Sequence, residues 1–251
     1  MSLRLKAFGI HLLSSAIALS LVLGALYLGW YRWPGWYVAG AWHVAAMLVG
    51  IDVALGPLLT AVVASPRKPR GELKRDIGII VLVQLAALGY GAVTLWQGRP
   101  LYYAFTSDWL DVVQASEISG EEIARARREN PSFVPHWYNR PRWVWAPLPK
   151  DSSEAQNIIA GAVTGGTDVV QMPRYFRPWD EGLSTLNQML KTVDEQKVYS
   201  PQEKQFLKKR LAALGVPPDT RATLVMWGRD RPLLAVFKGT PPRLEALMRP
   251  N

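Results

Sequence analysis

The sequence WYVAGAWHVAAMLVGIDVALGPLLTAVVA, residues 36–64, decides the fold class of this chain. It is a run of 29 residues whose one charged member is Asp52, and Gly56-Pro57 follows one turn later. About 20 consecutive apolar residues suffice for an α-helix to cross the hydrocarbon core of a bilayer. The stretch therefore predicts a transmembrane helix with spare length, which tilting or kinking accommodates.

Two further apolar runs flank this one. Residues 8–30 contain no charge over 23 positions, and residues 77–96 contain Gln84 as their only strongly polar side chain over 20 positions. Both have spanning length. The first run ends in the aromatic cluster of residues 30–34 (WYRWP) without a small-residue cleavage site, so we interpret it as an uncleaved anchor. The sequence predicts a three-helix transmembrane domain over residues 1–97, with helices at about 8–30, 36–64 and 77–96.

The charge of the chain is divided between its two parts. Residues 1–96 carry eight basic and three acidic side chains, and residues 97–251 carry 21 basic and 17 acidic ones, so the net charge of +9 is not one basic face. Binding to nucleic acid needs Lys and Arg clustered on one surface, and we do not expect it here. The chain has no cysteine and three scattered histidines, which excludes thiolate sites and disfavours a metal site. We expect no cofactor.

The basic residues of the first part predict its orientation, because loops rich in Lys and Arg resist translocation. Arg4 and Lys6 precede the first helix, and Arg32 is the only basic residue of the first loop. The second loop holds five topology determinants: Arg67, Lys68, Arg70, Lys74 and Arg75. This bias predicts a bacterial inner-membrane protein with a cytoplasmic N-terminus and with residues 98–251 in the periplasm. The lipid bilayer is thus one partner, and the second loop has the alternative role of binding anionic lipid or an acidic cytoplasmic partner.

Asp52 and Gln84 are the polar side chains inside the predicted bundle. An ionisable group at mid-membrane costs at least about 2.5 kcal/mol and usually faces protein rather than lipid. Counting residues places Gln84 at a depth similar to that of Asp52, so the two can form a hydrogen bond. His11 is predicted to be shallower and His43 to lie on the opposite side of its helix, so neither is the expected partner. Two interpretations stay open: a structural bond between helices two and three, and a docking or proton-linked site for a partner protein.

Small residues near Asp52 allow another helix to approach closely. Gly50 and Ala54 have the small-xxx-small spacing, and Gly56 extends the pattern. Such faces usually serve the bundle of the protein itself, which is the alternative interpretation. The candidate residues for docking a partner helix are Gly50, Asp52, Ala54, Gly56, Pro57 and Gln84.

The remaining sequence predicts an α+β periplasmic domain over residues 98–251. Strand-like runs at 101–105 and 109–114, joined by a turn at 106–108, predict a hairpin, and so do 223–227 and 233–237. Capping residues Ser119, Asp151 and Ser200 predict helix starts, and another helix is expected from Pro178 to about Gln196.

Residues 131–150 contain five prolines and predict an irregular loop. Trp137, Trp143 and Trp145 within it are candidate contacts for a periplasmic partner, with a role in the core as the alternative.

Catalytic signatures are missing from the sequence. It contains no Gly-x-Ser-x-Gly, Walker, dinucleotide-binding or His-Glu-x-x-His motif. His136 is a conceivable general base, but no nucleophile accompanies it. The sequence therefore predicts a protein that is not an enzyme.

The order and spacing of several segments resemble the type IV pilin accessory proteins (the TfpX/TfpZ group). The resemblance covers the first 115 residues, and more loosely the rest through residues 165–166 and 173–175. The segments that carry it are residues 5–15 (LKAFGIHLLSS), Trp33-Pro34, Asp52 with 56–60 (GPLLT), 74–76 (KRD), Gln84, Tyr90-Gly91 and 98–100 (GRP).

The resemblance implies a chaperone-like inner-membrane accessory protein that stabilises or helps to assemble one type IV major pilin. The major pilin is then the expected partner, and other pilus assembly machinery is a further candidate. The alternative from another class is a membrane-anchored periplasmic sensor or ligand-binding module, with residues 131–150 lining its pocket. A transporter subunit is disfavoured by the single acid and the three spans.

Overall fold

The computed structural model describes residues 3–106 and 109–250, which fall into two compact units. One unit consists of Met1–Arg32 and Gly40–Gly98, and the other of Trp33–Ala39 and Arg99–Asn251. The chain therefore leaves the first unit after its first long helix, contributes seven residues to the second unit, and returns. The sequence did not predict this exchange.

The first unit contains three helices that are long and apolar enough to cross a membrane. Helix α1 (Leu3–Leu26) continues as a π-helical turn (Tyr27–Tyr31), and a short helix, α2 (Gly35–Val38), lies in the connection that follows. The second long helix consists of α3 (Ala41–Val49), a π-helical segment (Gly50–Leu55) and α4 (Gly56–Val63), and the third is α5 (Arg70–Gln97).

The bounds of these helices differ from the predicted ones. The second long helix begins at Ala41 and not at residue 36, because Gly40 has a φ of 68°, in the left-handed region that interrupts a right-handed helix and favours glycine. Helices α1 and α5 begin earlier than residues 8 and 77. Their first turns contain Lys, Arg and Glu, which are good helix formers. A prediction based on the length of an apolar run does not include such residues.

The second unit is built on one seven-stranded mixed sheet with the strand order β4-β3-β1-β2-β5-β6-β7. Two neighbouring pairs are parallel, β1 with β3 and β2 with β5. The other four pairs are antiparallel: β3–β4, β1–β2, β5–β6 and β6–β7. The strands are β1 (Pro100–Phe105), β2 (Leu110–Gln114), β3 (Arg142–Trp145), β4 (Arg177–Pro178), β5 (Thr223–Met226), β6 (Leu233–Lys238) and β7 (Arg243–Met248).

Most of the predicted elements of this unit are present. Both predicted hairpins form, as β1–β2 and β5–β6. The turn expected at 106–108 includes Ser107 and Asp108, which lie outside the described residues. The capping residues open α6 (Gly120–Glu129), α7 (Ser152–Val163) and α9 (Pro201–Ala213), and each cap side chain accepts a backbone N–H as predicted.

Two expectations for the second unit are wrong, and one strand was missed. Residues 131–150 are not wholly irregular, because β3 forms there by pairing with β1, a tertiary contact that local composition does not encode. The helix expected to reach Gln196 is α8 (Leu183–Met189), which ends when Leu190 turns to extended backbone and Lys191 pairs with Thr223. Strand β7 was not predicted, although apolar residues stand at every second position from Leu244 to Met248; it forms by antiparallel pairing with β6.

Val38 fixes the connection between the first two long helices inside the second unit. Its side chain is fully buried in an apolar cluster that includes Tyr103, Leu110 and Phe237. Its carbonyl oxygen accepts the backbone N–H of Arg229 at 2.7 Å. The sheet unit is therefore completed by residues that precede it by some sixty positions in the sequence.

We predict that Val38→Asp destabilises the sheet unit by about 3 kcal/mol or more, because it places an unpaired carboxylate in an apolar cluster. The measurement is thermal unfolding of the full chain in detergent, followed by near-UV circular dichroism. Val163→Asp is the matched control, since Val163 on α7 is 83% exposed and its replacement should change stability by less than about 0.5 kcal/mol. Equal effects of the two variants would contradict the assignment of Val38 to this core.

Candidate functional site

The candidate site of the first unit is centred on Asp52, whose residue is only 3% exposed. Asp52 lies at the midpoint of the long helix Ala41–Val63, within its π-helical segment. π-helical turns within α-helices occur frequently at functional sites. Burial of an ionisable side chain in such a segment singles this position out.

The π-helical segment leaves the backbone carbonyl of Asp52 without its usual partner. In π-helical geometry the N–H of residue i+5 donates to the carbonyl of residue i, as Gly56 does to Ile51. The residue five positions after Asp52 is Pro57, which has no N–H. Instead, Nε2 of Gln84 on α5 donates to the Asp52 carbonyl oxygen at 3.1 Å. This hydrogen bond joins the second and third long helices.

Two glycines permit this approach of the helices. A Cβ atom on Gly56 would collide with the side-chain amide of Gln84, and one on Gly91 of α5 would lie 2.6 Å from Cδ2 of Leu48. Such distances are far below van der Waals contact. Gly56 and Gly91 therefore serve the packing of the protein's own bundle, which is one of the two interpretations that the sequence left open for small residues such as Gly56.

The carboxyl group of Asp52 contributes little to this junction. Gln84 Nε2 is 3.5 Å from Asp52 Oδ1, at the limit of a hydrogen bond. Asp52 Oδ2 and Gln84 Oε1 are buried, and neither has a hydrogen-bond partner among the residues that the structure describes. The structural role of position 52 thus rests on its backbone, and the carboxyl is left for another use.

Asp52 and Gln84 line a cavity of about 190 Å³ between the three long helices. A second cavity of about 480 Å³ shares three residues with it: His11, Ser14 and Val81. The first cavity is lined by His11, Ser14, Ser15, Ala18, Asp52, Val81, Gln84, Leu85 and Leu88. Its wall is therefore polar on α1 and at Asp52 and Gln84, and apolar elsewhere.

The position of His11 differs from the predicted one. The sequence count placed His11 too shallow, but the structure places it in the wall of the same cavity as Asp52. Its Nδ1 forms a hydrogen bond with Oγ1 of Thr60 on α4 at 2.5 Å. The spacing of His11, Ser14, Ser15 and Ala18 puts them on one helical face, a signal that was available in the sequence and was not used.

The six residues proposed to dock a helix do not form one surface. Asp52, Gly56, Pro57 and Gln84 are buried within the unit, whereas Gly50 and Ala54 are exposed. A Cβ atom on Gly50 would meet no described atom within 4 Å. The structure therefore separates a polar cavity between the helices from a small-residue face on the outside of the second helix.

The three candidate tryptophans of the sheet unit differ in their exposure and packing. Trp137 is 69% exposed and stands edge-on to Tyr138. Trp143 and Trp145 pack against the sheet core, with ring-centroid distances of 4.8 Å to Tyr103 and 6.1 Å to Phe105. The exposed Trp137 is thus the one suited to contact a partner surface.

A small pocket of about 170 Å³ in the sheet unit is lined partly by the segment 131–150. It includes Trp145, Pro147 and Leu148. Ligand sites usually measure about 300–1,000 Å³. This volume gives little support to a small-molecule site.

The five basic residues of the second loop are near the start of α5. Lys68 pairs with Asp76, and the remaining four are exposed: Arg67, Arg70, Lys74 and Arg75. Exposed charges at a helix end are compatible with their predicted role as topology determinants.

We predict that Gln84→Leu destabilises the first unit by about 1–3 kcal/mol, because the Asp52 carbonyl loses its hydrogen bond in an apolar surrounding. Asp52→Asn keeps that backbone carbonyl and should change stability by less than about 0.5 kcal/mol. Thermal unfolding of both full-length variants in the same detergent measures the difference. If Asp52→Asn is as destabilising as Gln84→Leu, the carboxyl is part of the junction after all.

Comparisons with known proteins give relatives with a common name. The chain is 28% identical over 191 residues to the fimbrial assembly protein of serogroup I from Dichelobacter nodosus. The aligned region covers 75% of this chain and 72% of the relative. It is 28% identical to the serogroup E1 protein over 192 residues, with the same coverage. It is 31% identical over 121 residues to the fimbrial assembly protein of serogroups C1 and C2, covering 48% of this chain and 92% of that relative.

Two other comparisons give no match. No family model matches the chain, and no solved structure matches it significantly. The similarity to the serogroup C1 and C2 protein spans nearly the whole of that relative at more than 30% identity. This chain belongs to the family of fimbrial assembly proteins.

Proposed function

We propose that this protein is a non-enzymatic accessory protein of pilus assembly, which holds the apolar transmembrane helix of one major pilin in the inner membrane. The observation that carries the proposal is the Asp52 carboxyl: it is buried, it lines a cavity between three apolar helices, and the helix junction beside it uses the backbone instead. Intramembrane acids are costly and usually functional. A carboxyl that the bundle does not need is therefore a candidate contact for another protein.

The family supports the pilus as the setting of this contact. The relatives are named fimbrial assembly proteins, and the order of segments resembles the type IV pilin accessory proteins. A major pilin that waits in the membrane as one apolar helix with a periplasmic head would offer a helix to the first unit and a head to the second. Trp137 is a candidate contact for that head because it is largely exposed.

The charge bias completes the proposed arrangement. Arg4, Lys6 and the basic second loop remain in the cytoplasm, and the sheet unit lies in the periplasm. The loop that carries Val38 would then be periplasmic, in agreement with its place in the sheet unit. One topology therefore accounts for both the charge pattern and the division into units.

The shape of the adjoining cavities favours an elongated occupant. On α1 their lining extends from Leu3 to Ala18, which is roughly 22 Å at 1.5 Å per residue. On α5 it extends from Ile77 to Leu88, roughly 16 Å. A groove of this length offers several turns of a helix a surface to lie along.

We predict that a photo-crosslinking amino acid at Leu88, which lines the cavity, captures the major pilin in cells that make both proteins. The matched control is the same amino acid at Tyr90, which is 69% exposed and lies two residues along α5, about 200° around the helix. Immunoblotting of membrane extracts for the pilin measures the product.

The proposal requires a crosslink from position 88 that is at least several-fold stronger than the one from position 90. Equal yields would indicate random collision in the membrane. The absence of pilin from both products, in cells with a normal level of the accessory protein, would overturn the proposed function.

A further inference from the structure

Two buried hydrogen-bond acceptors at the Asp52 cavity have no donor among the described residues. These are Asp52 Oδ2 and Gln84 Oε1, which have no partner within the described part of the chain. The amide nitrogen of Gln84 is already committed to Asp52. The Ser14 hydroxyl in the same wall donates to the carbonyl of His11 at 2.9 Å. No donor in the described part of the chain thus reaches these two oxygens, although the Ser15 hydroxyl and the His11 ring also line the cavity.

Unpaired acceptors are costly at this position. A buried acceptor without its hydrogen bond costs about 1–3 kcal/mol, and the other walls, formed by Ala18, Val81, Leu85 and Leu88, are apolar. An occupant that brings a donor recovers this free energy, whereas a purely apolar occupant leaves it unrecovered. The site therefore discriminates between occupants by their polar chemistry.

We propose that the Asp52 cavity selects a transmembrane helix that carries a hydrogen-bond-donating side chain, a hydroxyl, amide or amine, at mid-membrane depth. This inference rests on the proposed function and adds the chemical feature by which the pilin helix is recognised. The apolar groove along α1 and α5 receives the body of the helix, and Asp52 with Gln84 receives its donor.

The depth of the site argues against a lipid as the occupant. Asp52 is eleven residues from each end of the helix Ala41–Val63, roughly 16 Å at 1.5 Å per residue. Lipid headgroups carry the donors of a bilayer at its surface, and acyl chains carry none. A donor at this depth comes from a trapped water molecule or from a polypeptide, and helices are the elements that cross the hydrocarbon core with their backbone groups satisfied. A helix that brings its own donor can take the place of such a water.

The wall of the cavity is held independently of the acceptors. His11 is fixed through its hydrogen bond to Thr60, and the second and third helices are joined through the Asp52 carbonyl. Replacing the Asp52 side chain therefore removes an acceptor while the junction beside it keeps its backbone hydrogen bond. This separation makes the inference testable by substitution.

The test measures the yield of the Leu88 crosslink to pilin in full-length Asp52→Leu and Asp52→Asn variants. Asp52→Leu should reduce the yield about tenfold or more, since the donor loses its acceptor. Asp52→Asn should retain an intermediate yield, because its amide oxygen still accepts. Gly50→Leu is the control that adds an apolar side chain on the outer face, and it should leave the yield unchanged.

A second arm identifies the donor on the pilin. Each residue of its apolar helix with a hydroxyl, amide or amine is replaced by Ala, alone and together with Asp52→Leu. One replacement should lower the yield as Asp52→Leu does and should add nothing to it, which is the signature of a direct pair in a double-mutant cycle.

Each contrary outcome has a distinct meaning. A full yield in Asp52→Leu, with pilin still captured from Leu88, overturns the donor inference and leaves the proposed function intact. A loss in Gly50→Leu alone assigns recognition to the small-residue face and also overturns the inference. A product containing two copies of this chain, with no pilin, overturns both.

Discussion

The first unit depends on the hydrogen bond from Gln84 Nε2 to the backbone carbonyl of Asp52. That carbonyl is available because the π-helical register assigns it to the N–H of residue 57, which is a proline. Gly56 lets the glutamine come close enough to donate. One arrangement therefore links four residues: Asp52, Gly56, Pro57 and Gln84. In it, a backbone carbonyl left unpaired in one helix accepts a hydrogen bond from a side chain of the next helix.

Under the proposed function, this arrangement separates structure from recognition at a single residue. Joining the two helices uses the main chain of Asp52, and the carboxyl is directed to a cavity that α1 completes with His11 and two serines. The sequence left a structural and a partner-binding interpretation open as alternatives. The geometry assigns the structural part to the carbonyl of residue 52, and the proposed recognition of a pilin helix concerns the side chain. Under the proposed function, the two interpretations concern different atoms of the same residue.

The sequence predicted elements that are encoded locally and missed those that arise from distant contacts. Apolar run length predicted three long helices, and the capping residues Ser119, Asp151 and Ser200 predicted three helix starts of the sheet unit. Strand β3 exists through its pairing with β1, and Val38 is buried by residues more than sixty positions away. The contact between Asp52 and Gln84 was predicted from their similar depth in the membrane. That Gln84 donates to the backbone carbonyl of Asp52 follows from the π-helical hydrogen-bonding pattern, which no residue pattern reveals. His11 was missed because depth was counted from the apolar run, whereas the helix begins at Leu3.

The central claim is that Oδ2 of the Asp52 carboxyl has no hydrogen bond within the described part of the protein alone and accepts one from a donor of its partner. Infrared difference spectroscopy of the full chain in lipid bilayers tests this directly, with the Asp52 carboxyl band assigned by subtracting the Asp52→Asn spectrum. The account predicts that adding the pilin transmembrane helix shifts this band and leaves the spectrum of the Asp52→Asn protein unchanged. A band at the same position with and without the pilin helix, while the two proteins remain bound, would contradict it.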